Sequence, residues 1–180
     1  MNIDIVMPEN NEAELLETGE KLGFKELIFL YDDIKKQVPK LVSKKLKIHY
    51  AFLAKNKQEV DKAKRRYDYI FASAQRGFFE HKKIKYLINA ESSEKIDFLY
   101  QRRAGLDDIM CRIAKEKNKI IVFNLGLAKE DRYTLPRMMQ NAKLCRKYKI
   151  KTLIATLATN PLEMRAPKDI GGFARIIKLM

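Results

Sequence analysis

The sequence predicts an α/β protein built on a small or incomplete barrel of about seven parallel strands. Three observations carry that prediction. Short apolar runs alternate with helical patterns from one end of the chain to the other. Runs such as LIFL and IIVF lack polar alternation, as strands of a parallel sheet do when both faces are covered. Successive strands are mostly 20 to 35 residues apart, with no Pro/Gly/Ser-rich linker and no low-complexity segment between them. A barrel or a doubly wound sheet satisfies these features. Seven βα units fall one short of the full eight-stranded ring, and 180 residues is below its usual size of roughly 200 or more. The expected unit is therefore one domain, residues 1–180.

The elements follow in order. IDIVM at 3–7 is the first strand, with a helix near 11–22, and ELIFLY at 26–31 is the second. A helix is expected near 32–44, with Asp32 and Asp33 as its cap and first turn. LKIHYAFL at 46–53, a helix near 57–66, YDYIFA at 67–72 and YLINA at 86–90 continue the alternation. Leu106, Ile109, Met110 and Ile113 recur at i, i+3, i+4 and i+7 and predict a helix over 105–117 with one apolar stripe for burial. Gly105 marks its boundary, and Asp107 and Asp108 suit the positive end of its dipole. KIIVFNL at 119–125, a helix near 133–148 and KTLIATLA at 151–158 come next. A last helix near 167–178 starts at Pro167 and buries Ile170, Phe173, Ala174 and Ile177.

Charge is the strongest compositional feature. The chain has 37 Lys+Arg against 23 Asp+Glu, a net charge of +14. Residues 1–33 hold nine acidic and two basic side chains, so the excess lies in the rest of the chain. Between Arg132 and Lys151 there are seven basic residues and no acidic one. A folded surface of one sign attracts polyanions, and nucleic acid is the default partner. No helix combines a basic face with spare bulky apolar residues, which argues against a membrane surface. The N-terminus lacks the pattern of a signal peptide and nowhere do 18 apolar residues run together, so a cytoplasmic protein is expected. Cys111 and Cys145 have no metal-ligand spacing and suit packed, reduced thiols.

In barrels and open α/β sheets, function sits at the carboxyl ends of the strands. The loops there carry Arg76 after the fourth strand, Arg102 and Arg103 before the Gly105 helix, Lys129 and Arg132 after the sixth strand, and Arg165 and Lys168 after the seventh. They predict a basic rim. Phe78, Phe79 and Tyr100 stand beside basic residues on these loops, where base stacking competes with core packing as their role. Arg165, between Pro161 and Pro167, either faces a partner or pairs internally with Glu163 or Asp169. A catalytic constellation is missing. His49 and His81 stand alone, His49 inside an apolar strand pattern. There is no GxGxxG, GxxxxGK[ST] or GxSxG, and Asp4 has no partner nearby in sequence. An independent active site is not expected.

The segments DFLYQRRAGLDDIMCRIAKEK, RMMQNAKLCRKYKIK and ATNPLEMRAPKDIGG, in that order and spacing before a C-terminal apolar helix, resemble archaeal ribonuclease P protein component 3, of the thirty-kilodalton ribonuclease P subunit family. The likeness is clearest from Asp97 to Gly172. It implies a TIM-barrel-like fold related to that of metal-dependent (PHP-like) phosphoesterases, without their histidine-rich metal site. It also implies a noncatalytic subunit of a holoenzyme in which the RNA, using Mg²⁺, removes the 5′ leader from precursor tRNA. The protein itself then holds no cofactor. Implied partners are ribonuclease P RNA, protein component 2, the other ribonuclease P proteins and, through the holoenzyme, precursor tRNA. By motif, Arg102, Arg103 and Arg165 are the leading RNA or partner contacts, with Arg132, Lys143, Arg146 and Lys147 as weaker ones; Arg76 and Lys168 are candidates from the basic rim alone. RNA contact does not explain the acidic N-terminal third, for which a protein partner is the alternative. Family members often run past the position of Met180, so a final barrel element is expected to be absent or supplied otherwise. The competing class is a metal-dependent phosphoesterase on a related barrel.

Overall fold

The structure is a computed structural model that describes residues 2–91, 105–129 and 133–179. Among these residues, seven parallel strands run in sequence order around the sheet: β1 (Ile3–Val6), β2 (Glu26–Tyr31), β3 (Lys47–Ala54), β4 (Tyr69–Ser73), β5 (Tyr86–Ile88), β6 (Ile120–Asn124) and β7 (Lys151–Ala155). The helices are α1 (Glu12–Leu22), α2 (Lys57–Ala63), α3 (Arg76–Phe79), α4 (Asp108–Glu116), α5 (Thr134–Tyr148) and α6 (Pro167–Ile176). The ring closes where β1 meets the end of β7. Val6 bridges Ala158, the Leu157 N–H donates to the Ile5 carbonyl at 2.9 Å, and the Met7 N–H donates to Ala158 at 2.8 Å. Seven strands therefore form a small barrel, as the sequence predicts.

Two apolar clusters follow from strand alternation. Ile5, Ile28, Leu30, Phe71, Ile88, Val122 and Ala155 fill the barrel interior, where Tyr86 stacks on Phe71 with ring centroids 4.5 Å apart. Residues of opposite parity, such as Leu27, Phe29, Phe52 and Phe123, face outward and pack under the helices against Leu15, Val60, Cys111, Met138 and Ile170. Each such fully buried side chain contributes roughly 1.5–3 kcal/mol. Cys111 and Cys145 are buried and unbridged.

Three expectations need correction. Residues 32–46 form no helix. Pro39 interrupts the stretch, and its backbone is held by side chains instead. Arg66 donates to the Ile34 and Lys36 carbonyls at 2.9 and 2.6 Å, and the Tyr50 hydroxyl donates to Pro39 and accepts from the Leu41 N–H. Asp33 accepts from the Lys35 N–H, so it shapes a turn rather than a helix start. Second, the buried face of the Gly105 helix is rotated from the expected stripe. Leu106, Cys111 and Ala114 are buried, while Ile109 is 50% exposed. Helix α4 is only nine residues long, and Asp107 is its cap, accepting from the Met110 N–H at 2.6 Å. Third, Phe78 and Phe79 lie on the unpredicted short helix α3 and are buried, so neither can stack on a base.

Candidate functional site at the carboxyl end of the barrel

The carboxyl ends of β6 and β7 open into a half-enclosed cavity of about 510 Å³. Leu125, Leu127 and Phe173 supply apolar wall; Asn124, Arg165 and Asp169 supply polar groups. Each is placed by local structure. Asn124 ends β6 and turns its Oδ1 to the Gly126 N–H at 2.9 Å, which fixes the start of the 3₁₀ turn Gly126–Lys129. Phe173 sits on α6, the expected final helix, whose Ile170 and Ala174, with Ile177 just past its end, are fully buried. Asn160 caps the 3₁₀ turn Pro161–Glu163, and Glu163 folds back to accept from the Thr159 N–H at 2.8 Å and from Asn160 Nδ2 at 2.6 Å. Those donors hold the Glu163 carboxyl below its ordinary range.

Arg165 lines this cavity, and its Nη1 donates to the Leu162 and Met164 carbonyls at 2.7 and 2.8 Å. Its internal partners are thus backbone carbonyls of its own loop rather than Glu163 or Asp169. Two prolines, an Asn cap and a guanidinium staple hold the loop.

Behind the cavity lies the seam of the ring. Asp4 is fully buried and, sharing a face with Val6, points out of the barrel interior. Its carboxylate accepts from the Ile5 N–H at 2.9 Å, the Thr156 N–H at 2.8 Å and the Thr156 hydroxyl at 2.7 Å. A side chain thus replaces one rung of the β1–β7 ladder. Burial outweighs these donors and pushes the Asp4 carboxyl up to about 6. The sequence leaves Asp4 without a partner because Thr156 is 152 positions away.

A second polar group is buried after β5. Glu91 is fully buried, and burial pushes its carboxyl up to about 7. The Asn124 N–H and the Asn141 amide favour its ionised form, but neither makes a well-formed hydrogen bond to its oxygens. Asn141, on α5, also fixes the approach to α4: its Oδ1 accepts from the Leu106 N–H at 2.9 Å. Gly105 has φ +107°, and a Cβ there would stand 2.9 Å from the same oxygen, so glycine is required twice over. No sequence signal singled out Glu91 or Asn141.

The nine candidate residues do not form one cluster. Arg102, Arg103 and Arg132, like Tyr100, lie outside the described residues. Arg165 is at the cavity, and Lys168 is exposed in the first turn of α6. Lys143 and Arg146 are exposed on α5 along an open groove shared with Met139 and Ile177. Lys147 leans the other way, pairing with Asp108 at 3.1 Å. Arg76 begins α3, on a different side of the barrel wall. The two histidines avoid the cavity as well. His49 sits near the amino end of β3 between Glu26 at 3.4 Å and Asp68 at 3.8 Å, and His81 follows α3.

Among the described residues, no three His, Cys, Asp or Glu side chains are grouped to hold a metal ion. Among its described lining residues the cavity carries carboxylates but no imidazole or thiolate, a donor set that does not suit zinc. Among the described residues no helix is long and apolar enough to cross a membrane.

Two solved structures share this architecture. A chain of the cryo-EM structure of archaeal ribonuclease P with mature tRNA is 22% identical, with a TM-score of 0.76 over 97% of this chain and 82% of that one. Histidinol phosphate phosphatase from Lactococcus lactis subsp. lactis, in complex with zinc, L-histidinol and phosphate, is 12% identical, with a TM-score of 0.62 over 98% of this chain and 92% of that one. Both likenesses establish the barrel fold. No protein-family model matches the sequence, and no curated protein matches it.

Proposed function

We propose that this chain is a protein subunit of ribonuclease P that binds and stabilises the catalytic RNA removing the 5′ leader from precursor tRNA. The observation that carries this reading is the likeness, over 97% of the chain, to a chain of archaeal ribonuclease P with mature tRNA. The net charge of +14 and the three quoted segments point the same way. In this reading the subunit is noncatalytic, hydrolysis belongs to the RNA with its Mg²⁺, and the partners are the RNA, protein component 2, the other ribonuclease P proteins and, through them, precursor tRNA. A cytoplasmic location goes with that role. Arg102, Arg103 and Arg165 are its leading contacts, with Arg76, Arg132, Lys143, Arg146, Lys147 and Lys168 behind them. The acidic α1, with Glu14 and Glu17 exposed, suits a protein partner better than RNA.

The phosphatase likeness supports a second reading, a metal-dependent phosphoesterase. The higher TM-score and identity of the ribonuclease P chain favour the first. Purified chain incubated with precursor tRNA and with simple phosphate esters separates the two. The subunit reading expects no turnover with Mg²⁺ or Mn²⁺; metal-dependent turnover that co-purifies with the chain and disappears on substitution of a cavity residue would establish the enzyme instead.

A further inference from the structure

A second concentration of unengaged positive charge lies apart from the cavity beside Arg165. Segments 55–66 and 76–85, which hold α2, α3 and the turn into β5, carry ten basic and three acidic residues. The fold brings them side by side. The Lys57 side chain passes 3.9 Å from the Cβ position of Gly77, and Lys83 pairs with Asp61 across the two segments. Between them runs an open groove of about 420 Å³ lined by Lys57, His81, Lys82 and Lys83, with Asp61 and Glu80.

The groove has a rigid floor. Lys119, itself buried, donates from Nζ to the His81 and Ile84 carbonyls, both at 2.6 Å, which fixes the turn that carries Lys82 and Lys83. Burial and the cations Lys119, Lys57 and Lys83 hold the His81 imidazole below its ordinary value against the opposing Asp61. Four of the cations here have internal partners: Arg66 holds the Ile34 and Lys36 carbonyls, Lys55 pairs with Asp32 at 3.5 Å, Lys83 holds Asp61, and Lys85 lies over the Tyr86 ring. Lys57, Lys62, Lys64, Arg65, Arg76 and Lys82 are exposed, and no hydrogen bond or ion pair engages their side chains.

What the face lacks is equally specific. The aromatic residues of these segments, Phe78 and Phe79, and the adjoining Tyr67 and Tyr86 are buried. The exposed large apolar side chains of the described residues, Val42, Ile109, Tyr133, Met139, Leu162 and Ile176, all lie elsewhere. A surface for single-stranded RNA needs aromatic platforms for unstacked bases, and a membrane surface needs apolar side chains to insert. Fixed cations without either suit a phosphate backbone whose bases are already paired.

We infer that the α2–α3 wall, centred on the groove between Lys57 and Lys82, is a sequence-independent docking surface for the phosphate backbone of helical RNA. It deepens the ribonuclease P reading by naming the form of RNA held and the side of the barrel that holds it. It also assigns Arg76 to this wall rather than to a common rim.

The test is equilibrium binding of the full chain to an RNA duplex of about two turns and arbitrary sequence, across a salt series. Replacing Lys57, Arg65 and Lys82 together with Ala should weaken binding at least about tenfold and flatten the slope of log affinity against log salt by roughly 2 to 3. The charge-preserving set Lys57→Arg, Arg65→Lys and Lys82→Arg should keep both. No duplex binding by the parent chain, tighter binding of a single strand of equal length, or an unchanged affinity and slope in the Ala triple would each overturn the inference. Duplex binding that depends on these residues in a chain that gives no precursor-tRNA cleavage on reconstitution would instead leave the surface standing and remove the ribonuclease P reading.

Discussion

Two buried carboxyl groups, Asp4 at the β1–β7 seam and Glu91 after β5, show how differently one barrel treats the same chemistry. Both are fully buried and both are pushed up by burial, Asp4 to about 6 and Glu91 to about 7. Asp4 accepts three hydrogen bonds and joins the two ends of the ring. The carboxylate oxygens of Glu91 accept none that is well formed. The first group is a structural rung whose loss leaves buried donors unpaired. The second is a desolvated acid whose ionisation the fold opposes. Burial alone therefore does not say whether a polar residue holds a fold together; its donors do.

The contrast is broken most severely at Asp4. Asp4→Ala should destabilise the protein by about 3–5 kcal/mol, because the Ile5 and Thr156 N–H groups and the Thr156 hydroxyl lose their acceptor inside the seam. Denaturant unfolding with an unchanged m-value is the measurement, and a loss below about 1 kcal/mol would mean that the backbone bonds around Ala158 close the ring unaided.

Glu91 should respond with the opposite sign. Because its folded pKa lies above the unfolded value of 4.5, the native state retains a proton that the unfolded state releases. Its contribution is complete below that value and is lost as pH rises through about 7. Glu91→Gln should remove this pH dependence and leave the variant more stable than the parent at pH 8 by about 2 kcal/mol. Equal stability of the two at pH 8, or a parent whose stability rises over that window, would mean that the Asn124 N–H and the Asn141 amide satisfy the ionised Glu91 carboxylate.

The barrel was legible because its strands advertise themselves locally. Unbroken apolar runs and regular spacing need no knowledge of distant contacts, and α6 was readable from Pro167 and its periodic apolar face. The segment over 32–46 was misread because its structure depends on Arg66 and Tyr50, which lie outside it. Helix α4 buries Cys111 and Ala114 in place of Ile109 because the elements packed around it, α3 and α5 among them, set which side is covered. At the candidate site the sequence placed Arg165 on a stiff loop, and the structure supplies the staple to the Leu162 and Met164 carbonyls. Glu91 and Asn141 gave no signal, and Asp4 was read without its role, since Thr156 and the Leu106 N–H that meet Asp4 and Asn141 are tens of residues away or more. The α2–α3 wall was missed for another reason: its charges are split between two segments that only the fold brings together.

The central claim is best tested by precursor-tRNA cleavage in a reconstituted system of ribonuclease P RNA, Mg²⁺ and the partner proteins, with and without this chain. The account predicts that adding the chain raises the rate by about tenfold or more at a limiting Mg²⁺ concentration, as expected when a protein stabilises an RNA fold by roughly 1.4 kcal/mol or more. Cleavage that proceeds at the same rate, and with the same Mg²⁺ dependence, in its absence would contradict it.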